Sequence, residues 1–305
     1  MQSIVVTGAT GMIGTALCTL AASRGMDVLA IVRPGSKRLA QLPDSPHIRM
    51  IPCALQDYAS LQLPERYDAF FHLAWDKTAG AARDDAMLQT ENIRTTLAAV
   101  TLAAKLGCTA FVGAGSQAEY GPTSQPLCAA TPTDPRSGYG IAKYAAGKLS
   151  RMLCGQLGLR HCWTRILSVY GELDAPHTFI QTCIRTLLAG ETPALTPCGQ
   201  LWDYLYAGDA AEALLAIGER GADGGVYCLG SGKARPMREY AEIIRDQIAP
   251  DAVLGFGERD YYPHQPMYLC ADLTDLTRDT GYVPTTDFAE GIRRTIQYVK
   301  DVQSL

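Results

Sequence analysis

The chain has 305 residues and a formal charge of −4, with 47% hydrophobic and 19% charged residues. This composition can bury a large core, which excludes a disordered chain, a collagen and a coiled coil. The mildly acidic balance gives no field that would gather polyanions, so we expect neither a nucleic acid nor a membrane surface as the main partner. No stretch of about 18 uninterrupted apolar residues occurs, which predicts no membrane span.

The ten cysteines form no C-x-x-C pair, and no histidine stands at metal-ligand spacing from them. This pattern predicts neither a metal site nor a disulfide framework. Most of the cysteines lie in apolar runs, where cysteine behaves as a small buried hydrophobe. We therefore expect a cytoplasmic protein, because the cytosol keeps thiols reduced.

Short β-branched runs alternate with longer helical patterns in the first half of the chain. The predicted strands are Ser3–Thr7, Asp27–Val32, His47–Pro52, Asp68–Leu73, Thr109–Ala114 and Leu159–Arg165. Between the fourth and fifth strands, Asp84–Gly107 has apolar residues at helical spacing and ends on a glycine. The pattern predicts an α/β fold with a Rossmann-type, doubly wound parallel sheet.

A glycine-rich loop with the spacing G-x-x-G-x-x-G follows the first strand directly. Glycines at this spacing allow a tight turn and let the backbone approach a pyrophosphate, which the N–H groups of the following helix then bind. The alternative is an ordinary glycine-rich turn between a strand and a helix. The predicted cofactor contacts of the loop are Gly8, Thr10, Gly11, Met12, Ile13 and Gly14.

The end of the second strand predicts which dinucleotide binds. Folds of this type that bind NAD usually have Asp or Glu there, for the ribose hydroxyls. This chain has Arg33, followed closely by Ser36, and a guanidinium can bind a 2′-phosphate that a carboxylate would repel. We therefore predict NADP in preference to NAD, although a solvated basic loop would have the same sequence.

Prolines divide the chain into shorter elements after about residue 166. We expect 1–166 to form the dinucleotide-binding Rossmann domain. Residues 167–305 are expected to form a smaller α/β substrate-binding lobe, with some segments returning to the Rossmann sheet. Ligands of doubly wound sheets bind beyond the carboxyl ends of the strands, so such a lobe would close over that edge.

Ser116, Tyr139 and Lys143 form a candidate catalytic set. Tyr139 and Lys143 stand at i and i+4 and share one helical face. A free phenol has a pKa of about 10, and a neighbouring ammonium should lower that pKa. Ser116 could then hydrogen-bond the substrate oxygen whose protonation changes during hydride transfer. A second Y-x-x-x-K match, at Tyr144 and Lys148, is expected to face away from the site, because five residues rotate a helix by about 140°.

With these motifs in this order, the chain resembles the extended short-chain dehydrogenase/reductase family of nucleotide-sugar epimerases, dehydratases and 4-ketoreductases. The resemblance runs nearly end to end. Further segments that carry it are His72–Trp75, Ser116–Gly121, Arg165–Gly171, Gln200–Tyr206 and Gly281–Pro284.

The resemblance implies further contacts and an assembly. It places Asp57 at the adenine amine and Lys143 at the ribose. Other implied cofactor contacts are Tyr58, Leu73, Ala74, Tyr139 and Ile166. Relatives usually dimerise through the two helices that correspond to Asp84–Gly107 and Gly138–Leu157, so we expect a homodimer.

The departures from the family pattern concern the substrate. Ser168 replaces an Asn and Trp202 an Arg of the diphosphate site, and Trp75 replaces a smaller Ala beside the nicotinamide. Arg259, Arg235 and Arg165 are the candidates for the missing cation, and the alternative for Trp202 is a core aromatic residue. The predicted substrate contacts are Trp75, Gln117, Ser168, Trp202 and Arg259.

The first functional hypothesis is an NAD(P)-dependent oxidoreductase that reduces a 4-keto sugar nucleotide. An alternative is a nucleotide-sugar 4-epimerase with tightly bound NAD. A reductase of non-sugar ketones and a non-catalytic NAD(P)-binding regulator are further alternatives. Dehydration is disfavoured, because Gln117 and Ala118 stand where dehydratases of the family have an Asp-Glu pair.

Overall fold

The computed structural model describes residues 1–262 and 265–303. The strands are β1 (Ser3–Thr7), β2 (Asp27–Val32), β3 (Ile48–Pro52), β4 (Ala69–His72), β5 (Ala110–Ser116), β6 (Arg160–Ile166), β7 (Ser168–Tyr170), β8 (Ala194–Leu195), β9 (Leu201–Trp202), β10 (Tyr204–Tyr206), β11 (Gly225–Leu229), β12 (Arg235–Pro236) and β13 (Gly255–Phe256). The helices are α1 (Met12–Ser23), α2 (Ala86–Lys105), α3 (Gly138–Leu157), α4 (Phe179–Leu188), α5 (Ala207–Arg220), α6 (Met237–Ile248), α7 (Thr274–Thr280) and α8 (Phe288–Gln303).

Seven parallel strands form the central sheet, in the order β11-β6-β5-β4-β1-β2-β3. The side chains of successive residues in β1 lie on opposite faces of the sheet, because side chains alternate along a strand. Ile4 and Val6 belong to one buried cluster with Leu17 of α1 and Leu214 of α5. Val5 belongs to the cluster on the other face, which α2 and α3 help to form. Helices on both faces make the sheet doubly wound, as predicted.

The order of the strands reverses between β1 and β4, which are neighbours although β2 and β3 come between them in the chain. Parallel strands place all their carboxyl ends at one edge of the sheet, and ligands of such folds bind where the strand order reverses. The segments that follow β1, β4, β5 and β6 therefore meet at this edge.

A further hydrophobic cluster joins α4, α6 and α8 and contains Tyr170, Tyr240 and Phe288. The rings of Tyr240 and Phe288 lie 4.5 Å apart in an edge-to-face arrangement. Along the chain, α5 and β11 come between α4 and α6. The helix α5 packs against α1, and β11 joins the central sheet beside β6. The second half of the chain thus contributes to this cluster and to the cluster on the α1 face of the central sheet.

The predicted elements agree with the structure to within a few residues. Gly107 ends the long helix in a left-handed conformation (φ 68°), although regular helix extends only over Ala86–Lys105. The strand predicted to end at Ala114 continues to Ser116, so the candidate serine is the last residue of β5 rather than a residue beyond it. No helix in the described part of the chain is long and apolar enough to cross a membrane.

Candidate active site

The glycine loop connects β1 to α1 at the edge where the strand order reverses. Gly8 has φ +70°, and a Cβ there would lie 2.8 Å from the backbone of Leu73 and Ala74. A Cβ at Gly14 would lie 2.2 Å from the Gly8 carbonyl oxygen. Gly11 is the N-cap of α1 and offers no side-chain cap. The start of the helix is therefore left to bind an anion, which fits the pyrophosphate of a dinucleotide.

Ser116 and Tyr139 are brought together by the ends of two elements. Ser116 caps the short 3-10 turn at Gln117–Glu119, and its Oγ accepts a hydrogen bond from Ala118 N at 3.2 Å. Tyr139 lies in the first turn of α3, which Ser137 caps. The two side chains are within hydrogen-bonding reach of each other, and this contact acts to lower the pKa of Tyr139.

Lys143 lies one turn further along α3 and is buried. Its Nζ donates a hydrogen bond to Ala114 O at 2.6 Å and lies 3.8 Å from the centre of the Trp75 ring. Burial lowers the pKa of Lys143 to about 7, and the Glu119 carboxylate opposes that shift. The second Tyr-Lys pair lies elsewhere on the helix, with Lys148 exposed to solvent.

The cation nearest to Tyr139 is not the one that the sequence suggested. Burial raises the pKa of the Tyr139 phenol above its usual value, and Ser116 and Arg83 oppose the rise. Arg83 lies 4.4 Å from the centre of the Tyr139 ring, whereas Lys143 Nζ lies 5.7 Å from it. The Lys143 ammonium is held by Ala114 and Trp75, so the lowering of the Tyr139 pKa by Lys143 stays a prediction.

A buried ion pair supports the site from behind. Arg165 Nε donates to Glu119 Oε2 at 2.8 Å, and both side chains are nearly inaccessible to solvent. Glu119 Oε1 accepts hydrogen bonds from Ser116 N at 2.9 Å and from Trp163 Nε1 at 2.9 Å. Arg165 is thus paired with Glu119 inside the protein through Nε, while its buried Nη1 has no hydrogen-bond partner among the described residues.

The loop after β2 presents free positive charge. Arg33 is exposed and Ser36 is partly exposed. In the described part of the chain, neither Arg33 nor its neighbours Lys37 and Arg38 form an ion pair. The charges of this loop are therefore available to an anionic ligand.

The other predicted cofactor contacts lie along the same edge. Asp57 is exposed, and Leu73, Ala74 and Ile166 are partly exposed at or just after the ends of their strands. Tyr58 differs from them because it is buried, with its ring edge-on to His72 at 6.3 Å. Tyr58 therefore packs under the cofactor edge in this structure.

Two cavities share Trp202, and the larger one includes Gln117 and Ala118, which follow Ser116 in the chain. The larger, of about 650 Å³, is lined by Gln117, Ala118, Gly121, Pro122, Thr123, Arg136, Ser137, Trp202, Pro266, Tyr268 and Leu269. The smaller, of about 350 Å³, includes Ser168, His177, Trp202 and Arg259 in its lining. Trp202 Nε1 donates to Ser168 Oγ at 2.8 Å, so the two residues that depart from the family pattern at the diphosphate site are hydrogen-bonded to each other. Four of the five predicted substrate residues line one or both of these cavities: Gln117, Ser168, Trp202 and Arg259. Trp75 lines neither.

Sequence reasoning missed Arg83, Glu119 and Arg136. Ser116 and Glu119 form a capping box, and the S-x-x-E spacing could have indicated it. Arg136 stands three residues before Tyr139, and its position next to the motif could have indicated it. Nothing in the sequence marks Arg83, because it reaches the site from a turn that is distant from the motifs.

The fold agrees with comparisons to known proteins. A model of the NAD dependent epimerase/dehydratase family matches residues 4–230. The dTDP-glucose 4,6-dehydratase of Streptomyces antibioticus is 25% identical and aligns with 98% of this chain and 93% of its own length. The solved UDP-N-acetylglucosamine 4-epimerase from Methanobrevibacter ruminantium M1, in complex with UDP-N-acetylmuramic acid, has a TM-score of 0.88 at 22% identity and covers 99% of both chains. The UDP-glucuronic acid 4-epimerase from Bacillus cereus, in complex with NAD, has a TM-score of 0.84 at 20% identity over 98% of this chain and 99% of its own.

A parallel doubly wound sheet with a glycine loop at the reversal of strand order defines a Rossmann-type nucleotide-binding enzyme fold. The chain belongs to the NAD-dependent epimerase/dehydratase family, which is of the extended short-chain dehydrogenase/reductase type. The predictions of fold class and family are confirmed.

Proposed function

We propose that this enzyme reduces the 4-keto group of a sugar nucleotide with NADPH. The observation that carries the proposal is the meeting of Ser116, Tyr139 and Lys143 at the carboxyl edge of the sheet, beside a cavity of about 650 Å³. Gln117 and Ala118 line that cavity where water elimination would need an acid and a base. Neither side chain transfers protons at neutral pH, which disfavours a dehydratase.

The side chains have distinct parts in the reduction. NADPH, when bound, supplies hydride to the carbonyl carbon. Tyr139 donates its phenolic proton to the carbonyl oxygen, and the Ser116 hydroxyl donates a hydrogen bond to the same oxygen. Burial keeps the pKa of Tyr139 high, so the phenol is protonated at neutral pH, as a proton donor must be. Lys143 holds its ammonium beside Tyr139 and binds the ribose.

The cofactor preference rests on the loop after β2. The exposed Arg33 guanidinium, with Ser36 close by, suits a 2′-phosphate. The glycine loop from Gly8 to Gly14 suits the pyrophosphate, with Asp57 at the adenine. NADP rather than NAD is therefore the proposed partner.

The substrate lies between the Rossmann domain, 1–166, and the lobe, 167–305. The larger cavity takes the reacting sugar, beside Gln117. The smaller cavity takes the nucleotide, because it combines cationic or basic side chains, Arg259 and His177, with aromatic rings. Ser168 and Trp202 form the boundary between the two.

A panel of 4-keto and 4-hydroxy sugar nucleotides, each offered with NADPH and NADH, tests this function. We expect the enzyme to oxidise NADPH when a 4-keto sugar nucleotide is present, measured as the loss of NADPH absorbance. The reaction with NADH should be slower. NAD released from the purified protein on denaturation, with conversion of 4-hydroxy epimers and no net cofactor turnover, would instead establish an epimerase.

The variant Arg33→Asp tests the preference for NADPH over NADH. A carboxylate at this position accepts the ribose hydroxyls and repels the 2′-phosphate, so the ratio of kcat/KM for NADPH to that for NADH should reverse. An unchanged ratio would contradict the assignment of Arg33 to the phosphate.

A homodimer is proposed from the outer face of α3. Ile141, Leu149 and Met152 lie within about 80° on this helix and are 42% to 64% exposed. A stripe of this kind suits a second copy of the chain, with α2 alongside. Light scattering should give twice the mass of one chain, and Met152→Glu should lower it to one chain. A wild-type protein with the mass of one chain would contradict this assembly.

The proposed compartment is the cytoplasm. All ten cysteines are free thiols, and nine of them are buried. A reducing compartment keeps them in this state.

A further inference from the structure

Trp75 follows β4 and lies beside both ionisable groups of the candidate catalytic set, Lys143 and Tyr139. Its ring centre is 3.8 Å from Lys143 Nζ. The ring is also edge-on to Tyr139, with 6.0 Å between the ring centroids and an interplanar angle of 81°. One indole therefore touches both side chains that the proposed reaction uses.

The indole is itself held from the opposite side. Trp75 Nε1 donates to Gln89 Oε1 at 3.0 Å. Gln89 is buried in α2, and its Nε2 donates to the carbonyl oxygens of Lys77 at 3.2 Å and Ala82 at 3.0 Å. These bonds fix which end of the Gln89 amide faces the indole, so the position of Trp75 is determined by α2 and the turn before it.

The Lys143 ammonium needs such a partner. It is buried and has the Ala114 carbonyl oxygen as a hydrogen-bond acceptor. The face of an indole carries negative charge density and stabilises a desolvated cation. The charged or titratable groups that face Lys143 from the surrounding elements are Glu119, His72 and Tyr139.

We propose that Trp75 is a positioning residue that holds the Lys143 ammonium and the Tyr139 ring in place for proton transfer. Trp75 then acts through Lys143 and Tyr139 rather than on the substrate, which replaces its predicted role as a substrate contact. The inference rests on the proposed function for its kinetic consequence, whereas the contact itself can be tested without substrate.

The kinetic test compares Trp75→Phe with Trp75→Leu. Phenylalanine keeps an aromatic face for the ammonium, and leucine fills space without one. A desolvated cation–π contact corresponds to about 30-fold in an equilibrium constant. We therefore expect kcat for NADPH-dependent reduction to be up to about 30-fold lower in Trp75→Leu than in Trp75→Phe, with the KM for the sugar nucleotide unchanged. Equal kcat values for the two variants would show that the indole only fills space, and would overturn the proposal.

The second test needs neither cofactor nor substrate, so its failure is distinct from failure of the proposed reductase. The emission of Trp75, taken as the difference between wild type and Trp75→Phe, should titrate near neutral pH. The reason is that the pKa of Lys143 lies at about 7. The transition should be lost in Lys143→Met. An emission that stays constant from neutral pH to beyond the ordinary pKa of lysine, or a transition that persists in Lys143→Met, would overturn the contact.

Discussion

Tyr139→Phe is expected to lower kcat by about 10²- to 10⁴-fold while leaving the affinity for the dinucleotide nearly unchanged. The phenolic hydroxyl is the proton donor in the proposed reduction, and a positioned acid or base contributes rate enhancement of about that size. The ring remains in phenylalanine, so its contacts with Arg83 and Trp75 are kept. Steady-state kinetics with the active 4-keto sugar, together with a titration of NADPH binding, measures the two quantities.

Tyr144→Phe is the matched control for this change. Tyr144 belongs to the second Y-x-x-x-K match, and its partner Lys148 is exposed and lies 5.3 Å from the centre of its ring. The control should leave kcat near the wild-type value. Loss of turnover in Tyr144→Phe, with normal turnover in Tyr139→Phe, would show that the catalytic assignment belongs to the other tyrosine.

Glu119→Ala is expected to lower the free energy of unfolding by about 3–5 kcal/mol. Removing one partner of a buried ion pair leaves the other charge uncompensated in the interior. Glu119 is the carboxylate paired with Arg165, and the side chains are only 1% and 5% exposed. The substitution also leaves Ser116 N and Trp163 Nε1 without their acceptor. Urea unfolding at neutral pH measures the loss.

Two further variants show whether the charge or the hydrogen bonds matter. Glu119→Gln keeps amide atoms near the same donors but loses the charge, so its loss of stability should be smaller than that of Glu119→Ala. Glu290→Ala removes a carboxylate that contacts Arg293 and Arg294 on the exposed face of α8. Exposed pairs contribute little, so this control should be close to wild type. Equal stabilities of Glu119→Ala and Glu290→Ala would contradict the structural role of the buried pair.

Much of the fold could be predicted because its signals are local. The six predicted strands all occur, and Gly107 ends α2 as expected. The spacing of Tyr139 and Lys143 indicated a shared helical face, and both lie on α3. Each of these features depends on neighbouring residues and on the periods of strands and helices.

The sequence alone determined the parallel sheet, the glycine loop, and the residue types that stand at the ends of β2 and β5. Only the tertiary structure decided which groups surround the catalytic set. Lys143 meets Trp75, Arg165 pairs with Glu119, and Arg83 lies over Tyr139. These contacts join residues that lie far apart in the chain, and burial changes the protonation of the groups they enclose. A local pattern specifies which side chains are present, whereas packing specifies which charge faces which.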